Sequence, residues 1–406
     1  MTDTARPGRA LVVGLGIAGI AVAMRLRQVG WEPVIVERAP ARRSSGHFIT
    51  LFGTGVASAR RLGVLEAIGD RGHPQLISYE LNRTGRRIPG LNPSNIPGVA
   101  TPRQLLRGDV EQGLFSALPD DMEICYSTVP VRITQDESTA EATLHDIASG
   151  ATRTERFDLV VGTDGMRSTV RTLVFGSHTY LHPLNYMIGA TVLDAPIEGF
   201  DLHEGLVLAE PGRSVWTFPF ADHPPSLLFS YRTDDIDAEF SRPAIGSIRA
   251  AFGPRPAGPL LETLFTRFEQ TTDHLFDAVY QVKMPCWHRG RVVLVGDAAW
   301  CVSVYAGMGA SSAMAGGELL GTMLQRHPGN VPAALRAWEA RMRPFIHIEQ
   351  DSALLLRMLF TPHDRREQIM RGAMLRLMRR PRLGQAMGKM IKGPDFINKE
   401  FDVAGV

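Results

Sequence analysis

An α/β fold is predicted by three junctions of one type and by a change of periodicity between the second and the third. At each junction a short apolar strand runs into a glycine-bearing polar turn and then a helix: Arg9–Val13 before Gly14, Phe157–Gly162 before Asp164-Gly165, and Val292–Val295 before Gly296-Asp297. Apolar runs without alternation are the pattern of parallel strands buried on both faces. From Tyr180 to Pro285 the pattern becomes short alternating segments, which suit an antiparallel sheet, and beyond Ala310 it is largely helical. The expected architecture is an α/β domain with a parallel sheet, an antiparallel-sheet domain inserted in it, and C-terminal helices.

The first junction carries the most chemistry. Gly14-Leu15-Gly16-Ile17-Ala18-Gly19 follows its strand at once, Ile17–Val29 has helical periodicity, and Pro33–Val36 is a second strand closed by Glu37-Arg38. This is a Rossmann-like dinucleotide-binding pattern. The first glycine makes the turn, the second lets a pyrophosphate approach, the third lets helix and strand touch, and an acid about twenty residues on takes ribose hydroxyls. Arg42-Arg43-Ser44-Ser45-Gly46 is a polar loop whose arginines lie beside phosphates or on a solvated surface. His47–Leu51 is apolar, Thr54–Ala67 reads as a helix, and Leu76–Asn82 with Arg86–Ile88 reads as a hairpin about Thr84-Gly85. Gly90–Gly98, rich in proline and glycine, crosses back between domains. Thr101-Pro102-Arg103 reads as the opening of a helix to Leu118, with Arg103 at its start suited to bidentate contact with anionic oxygens. Glu123–Tyr126, Val129–Thr134 and Ala140–His145 read as strands of a small sheet.

At the second junction Asp164 and Gly165 form a turn, and Ser168 or Thr169 caps the helix that follows. The middle segment offers strands Met187–Leu193, Leu206–Ala209, Ser214–Pro219 and Leu227–Tyr231 and helices Ile245–Phe252 and Leu260–Gln270. Its aromatic residues are either core or a binding wall. At the third junction Asp297 offers an acceptor for sugar-type hydroxyls, Gly307-Met308-Gly309 lets the backbone approach a flat ring, and helix Ala310–Gln325 turns its free N–H groups toward negative charge. Val331–Arg343 and Ile346–Leu359 follow as helices, and the tail His363–Lys392 has the periodicity of an amphipathic helix, either packed over both domains, the favoured reading, or lying on a membrane surface.

Composition narrows the class. With 406 residues, 44% apolar and 21% charged, the chain builds a large globular core in two intimately packed domains. A net charge of +2 gives no reason to invoke nucleic acid. No long apolar run suggests an integral membrane span, and the N-terminus runs into a strand without a secretory pattern, which implies a cytoplasmic protein. The three cysteines, Cys125, Cys286 and Cys301, lack metal-type spacing, so neither a zinc site nor a structural disulfide is expected.

Gly14–Gly19 with Glu37, Asp164-Gly165 with Arg171, and Gly296-Asp297 with Gly307 and Gly309 stand in an order and spacing that resembles the group A FAD-dependent aromatic hydroxylases. These are the flavoprotein monooxygenases related to p-hydroxybenzoate hydroxylase, and the chain length and compact tail resemble the tetracycline-modifying and antibiotic-tailoring members. The resemblance implies an FAD-binding domain in three parts (1–75, 99–178 and 286–330), a substrate domain formed by hairpin 76–98 and 179–285, and a C-terminal helical segment 331–406. It implies FAD as cofactor, NAD(P)H as a transient co-substrate, and O2. The reaction implied is hydroxylation or epoxidation of an aromatic or polyketide-like small molecule through a flavin hydroperoxide. Gly14, Gly16 and Gly19 would hold the pyrophosphate together with Ile17 and Ala18. Glu37 would take the adenosine ribose, with Arg38 and Arg43 beside it, and Val129 would meet adenine. Arg103 would contact the flavin side, Asp164 would lie near the pyrophosphate, Asp297 would bind the ribityl chain, and the Gly307-Met308-Gly309 backbone would face the flavin pyrimidine edge. The cofactor performs the hard step, so no catalytic side chain is assigned. Substrate contacts are expected from His47, Arg213, Trp216, Phe218, Tyr231 and Val304. Two positions depart from the family: Trp300 stands where a histidine is usual, and Val304 where a proline is usual. A FAD-linked oxidase or reductase, one fed by a partner reductase, and a non-catalytic binding protein are the competing readings.

Overall fold

The computed structural model describes residues 8–42, 46–90, 102–176, 180–378 and 399–406. Arg43, most of the Gly90–Gly98 crossing and the far half of the expected tail helix lie outside the described residues.

Six strands form the central sheet, in the order His288–Arg289, Val292–Leu294, Leu159–Gly162, Arg9–Val13, Glu32–Val36, Glu123–Cys125. All pairs are parallel except the edge strand His288–Arg289. Leu11, Val12, Val160, Val161, Val293 and Leu294 are wholly buried, which is why these strands read as continuous apolar runs. The register pairs Val13 with Gly162 and with Val36, and Gly162 with Leu294. The three glycine-bearing turns therefore emerge side by side at the carboxyl end of one sheet, where open α/β sheets bind ligands. Helices Ile17–Gln28 and Gly309–Arg326 cover the same face and approach closely: a Cβ on Gly317 would stand 2.9 Å from the Val22 nitrogen.

A second sheet has seven strands, in the order His274–Val282, Leu181–Val192, Ser226–Arg232, Arg213–Phe218, Glu204–Glu210, Ile77–Leu81, Arg87–Pro89. Alternation divides it into two faces. Val215, Leu227, Phe229 and Tyr231 point into a core sealed by helices Ala244–Phe252 and Pro259–Gln270. Trp216 and Phe218, with Ser214 and Ser230, occupy the other face, where Ser214 meets Thr361 at 2.7 Å and Ser230 meets Tyr305 at 2.8 Å.

Several sequence expectations are corrected. The helix expected over Thr101–Leu118 begins late: Arg103–Leu106 is a strand paired with Phe48–Leu51, and only Arg107–Phe115 is helical. Asp109 fixes that start, its carboxylate accepting from the Leu106 N–H at 2.9 Å. Glu123–Cys125 joins the parallel sheet, and the small antiparallel sheet is Thr128–Gln135, Ala140–Asp146 and Thr152–Phe157. Gly63, with φ near +79°, divides the expected Thr54–Ala67 helix into Gly53–Arg61 and Leu65–Ile68. Val331–Phe360 is one helix that continues through Pro344. Among the described residues no helix is long and apolar enough to cross a membrane.

Candidate functional site

The first turn is built so that only glycine serves. Gly14 has φ +107°, its N–H donates to the Val36 carbonyl at 2.8 Å, and a Cβ there would lie 2.8 Å from the Thr163 oxygen. A Cβ on Gly19 would fall 1.9 Å from the Gly14 oxygen, so helix and turn touch through that residue. Helix Ile17–Gln28 begins at Gly16 with no side-chain cap and no acid in its first turn, which leaves its positive end facing outward. Glu37 grips this turn from the neighbouring strand, accepting from the Leu15 N–H at 2.9 Å and the Ala39 N–H at 2.8 Å. The Thr128 N–H donates to the Glu37 carbonyl at 2.9 Å, which sets half-buried Val129 beside the same strand end. Arg38 is exposed next to it. Arg42 lies over the Phe115 ring, and its buried Nη1 has no partner among the described residues.

The second turn is largely spent on itself. Asp164 accepts from the Ser168 hydroxyl at 2.5 Å and from the Thr169 and Val170 N–H groups at 2.6 and 3.1 Å, so it caps helix Thr169–Phe175. Buried Arg171, on that helix, donates to the carbonyls of Ala298 at 2.9 Å and Met166 at 2.6 Å. The second junction thus braces the third.

At the third turn Gly296 has φ +70°, and a Cβ there would be 3.0 Å from the Ala18 Cβ, so Asp297 emerges next to the first helix's N-terminus. Asp297 is open to solvent, yet the surrounding protein pushes its carboxyl above the usual aspartate range, with the Arg107 charge opposing. Asp297 thus lines the cleft between the first and third turns. Arg107 bridges the parts: it pairs with Glu111 at 2.6 Å, a Cβ on Gly16 would stand 3.7 Å from its Nη2, and its N–H donates to the His47 carbonyl at 3.0 Å. Burial, then the Arg107 charge, pull His47 down to about 4, so its ring is neutral at neutral pH. Gly307 takes a left-handed φ of +66°, Met308 is wholly buried, and a Cβ on Gly309 would meet nothing within 4 Å. Helix Gly309–Arg326 starts there without a side-chain cap or a first-turn acid. Arg107, rather than Arg103, is the arginine of this cleft. Arg103 donates to the carbonyls of Leu65 at 2.9 Å and Gly69 at 2.8 Å and ties two loops together. The signal for Arg107 was Asp109, the N3 carboxylate that marks where the helix starts.

A glycine cradle, an uncapped helix start, a carboxylate at the end of the neighbouring strand and a second carboxylate in the cleft suit a dinucleotide with anionic phosphates and sugar-type hydroxyls. The family model described as "FAD binding domain" matches residues 9–344. The chain belongs to the FAD binding domain family. A flavin-dependent monooxygenase from an unknown prokaryotic organism is 26% identical over 346 residues, spanning 84% of this chain and 86% of the relative. Among solved structures, tetracycline destructase Tet(51) aligns with a TM-score of 0.73 at 24% identity over 96% of this chain and 99% of that one. HpxO of Klebsiella pneumoniae, solved with FAD and uric acid, aligns with a TM-score of 0.70 at 18% identity over 95% and 92%.

Around the FAD-domain cleft, the remaining expected contacts divide by sheet face. Arg213 lies on the covered face, where it donates to Glu210 at 2.8 Å and to the Ala251 carbonyl at 2.6 Å. Tyr231 is buried on that face and donates to Glu239 at 2.9 Å. Neither side chain faces the cleft, a consequence of the period-2 alternation that sends odd positions of Arg213–Phe218 and Ser226–Arg232 toward the helices. Trp216 and Phe218 take the opposite face and join an aromatic row. Phe48 stacks on Phe218 at 4.1 Å, Phe218 on Trp216 at 6.2 Å, Trp216 meets Phe360 at 4.6 Å, and Phe360 meets Tyr305 at 6.2 Å. The row starts beside His47 and ends in the turn Val304–Ala306, where Val304 is exposed. Trp300 is buried among Trp287 and Trp338, at 4.8 and 5.7 Å, and belongs to the core.

Proposed function

We propose that this FAD-dependent monooxygenase consumes NAD(P)H and O2 to hydroxylate or epoxidise an aromatic or polyketide-like small molecule, and that it works in the cytoplasm. The observation that carries the substrate class is the aromatic row from Phe48 to Tyr305. Phe48, Phe218, Trp216 and Phe360 are only half-buried, and the row runs from His47 to the turn before Gly307. Flat π-faces at that spacing suit a flat, electron-rich ring. The monooxygenase names of its relatives and the uric acid held by HpxO support the same class. Three free cysteines suit a reducing compartment.

In this reading Gly14, Gly16, Ile17, Ala18 and Gly19 hold the FAD pyrophosphate, Glu37 the adenosine ribose, Val129 the adenine, Asp297 the ribityl chain, and the Gly307–Gly309 backbone the pyrimidine edge. FAD supplies the redox chemistry. The protein orients it, keeps His47 neutral, and excludes water with the aromatic row. Arg107 adds a cation between Gly16 and Asp297. Arg107→Met is expected to weaken FAD binding about tenfold, the scale of one charged hydrogen bond, while Arg103→Met lowers thermal stability and leaves FAD affinity within about twofold. Fluorescence titration with FAD checks both, and equal losses of affinity would return the role to Arg103.

The visible spectrum of the purified protein, before and after anaerobic NADPH, tests the whole reading. A flavin spectrum that bleaches, and bleaches faster with a trial aromatic compound, is expected. Bound flavin that resists both NADPH and NADH would point instead to an oxidase or to a partner reductase.

A further inference from the structure

We propose that Lys399, in the C-terminal segment, supplies a positive charge to the Gly307–Gly309 loop and thereby raises the reduction potential of the bound FAD. The proposal rests on the assignment of that loop to the flavin pyrimidine edge. Lys399 Nζ donates to the Ala306 carbonyl at 2.7 Å, and a Cβ on Gly307 would stand 3.7 Å from the same nitrogen. The ammonium lies 4.2 Å from the centroid of the Phe52 ring, a cation–π contact. Phe52 is itself fixed to the following helix, its N–H donating to Ser311 Oγ at 2.9 Å, and Thr50 donates to the Gly307 carbonyl at 3.3 Å. The ammonium, the loop and the first turn of helix Gly309–Arg326 are therefore one rigid layer.

That helix has no acid in its first turn, so its dipole and the Lys399 charge act with the same sign on the open space over Gly309. The acid coupled to Lys399 is Glu349, whose side chain is buried and whose Oε2 has no hydrogen-bond partner among the described residues. Burial raises the Glu349 carboxyl to about 7 and lowers the Lys399 amine to about 8. Near neutral pH the ammonium is thus more nearly fully charged than the carboxylate that opposes it. The lysine is held in place by the residues after it: Asp402 pairs with Arg61 at 2.6 Å, the Val403 N–H donates to Thr54 Oγ1 at 3.2 Å, and Val403 and Ala404 are buried.

Reduction of FAD adds two electrons and one proton and leaves one net negative charge on the ring. A fixed cation nearby favours that form over the oxidised one. The test is the midpoint potential of bound FAD, measured in the FAD-loaded protein by slow dithionite reduction against a reference dye. In Lys399→Met the preference for reduced over oxidised FAD should fall about tenfold, which is about 30 mV for a two-electron couple. Lys399→Arg should keep most of the wild-type value, and Glu349→Gln should shift it upward. An unchanged potential in FAD-loaded Lys399→Met overturns the proposal. If Lys399→Met fails to fold, the Glu349→Gln shift decides, and its absence overturns the proposal equally. Wild-type protein that takes up no FAD would instead sink the cofactor assignment on which the proposal stands.

Discussion

Asp297→Ala is expected to give folded, nearly colourless protein whose FAD affinity has fallen about 30- to 100-fold. The magnitude follows from losing hydrogen bonds to a charged acceptor, about 2–2.7 kcal/mol. Asp297 is the carboxylate that best suits this expectation because the side chain that it bonds is the Cys301 thiol, a weak partner whose loss costs the fold little. It opens the helix Asp297–Trp300, whose cap position is Gly296 with no side-chain cap bond, and it is exposed at the cleft. Alanine suits the first turn of a helix and relieves the desolvation that raises the aspartate's pKa. Circular dichroism should therefore be unchanged while FAD titration moves. Asp164→Ala is the contrast. That carboxylate caps helix Thr169–Phe175 through two backbone N–H groups and Ser168, so its loss should cost about 1 kcal/mol of stability and leave most FAD bound. Near-normal FAD affinity in Asp297→Ala would remove the central assignment.

The three junctions were legible in the sequence because a buried parallel strand must be apolar throughout and its terminal turn must be glycine. The strands ending at Val13, Gly162 and Leu294 and the turn glycines Gly14, Gly165 and Gly296 obey both demands, and one sheet sets them side by side. What was not legible depends on contacts distant in sequence. Arg103 and Arg107 both open with the chemistry of a cleft arginine. Asp109, three residues after Leu106, is a local mark of the later start, and the pairing of Arg103–Leu106 with Phe48–Leu51 is the distant contact that keeps Arg103 out of the helix. Tyr231 and Phe218 look alike as aromatic strand residues, and a one-residue change of register exchanges their faces. Lys399 follows a stretch whose pattern named no site, and its place beside Ala306 comes from docking of the last residues on Thr54, Arg61 and Arg341. Val304 is exposed in the turn where a proline is usual in the family, and its neighbour Tyr305 ends the aromatic row.

Trp300→Ala is expected to destabilise the fold by about 3–5 kcal/mol, the range for deleting a large buried aromatic ring, while flavin bound at 25 °C keeps its wild-type spectrum. The side chain is 1% exposed, packs against Trp287 and Trp338, and donates through Nε1 to Ser312 Oγ at 3.2 Å. Space for it is made by Gly316, where a Cβ would lie 2.7 Å from the Trp300 Cη2, and Trp338 Nε1 closes the arrangement by donating to the Gly316 carbonyl at 2.9 Å. Trp300 and Gly316 are thus a matched large-and-small pair, and the histidine usual in the family at this position would leave part of that volume empty and set a polar ring among tryptophans. The pairing makes a sharper test than the single variant. Gly316→Ala should cost about 1–3 kcal/mol by overpacking in the wild-type background and much less in Trp300→Ala, where the ring that it would strike is gone. Urea denaturation of the four proteins measures the coupling. If Gly316→Ala costs the same in both backgrounds, Trp300 does not fill that space, and its assignment as the large partner of Gly316 in the core fails.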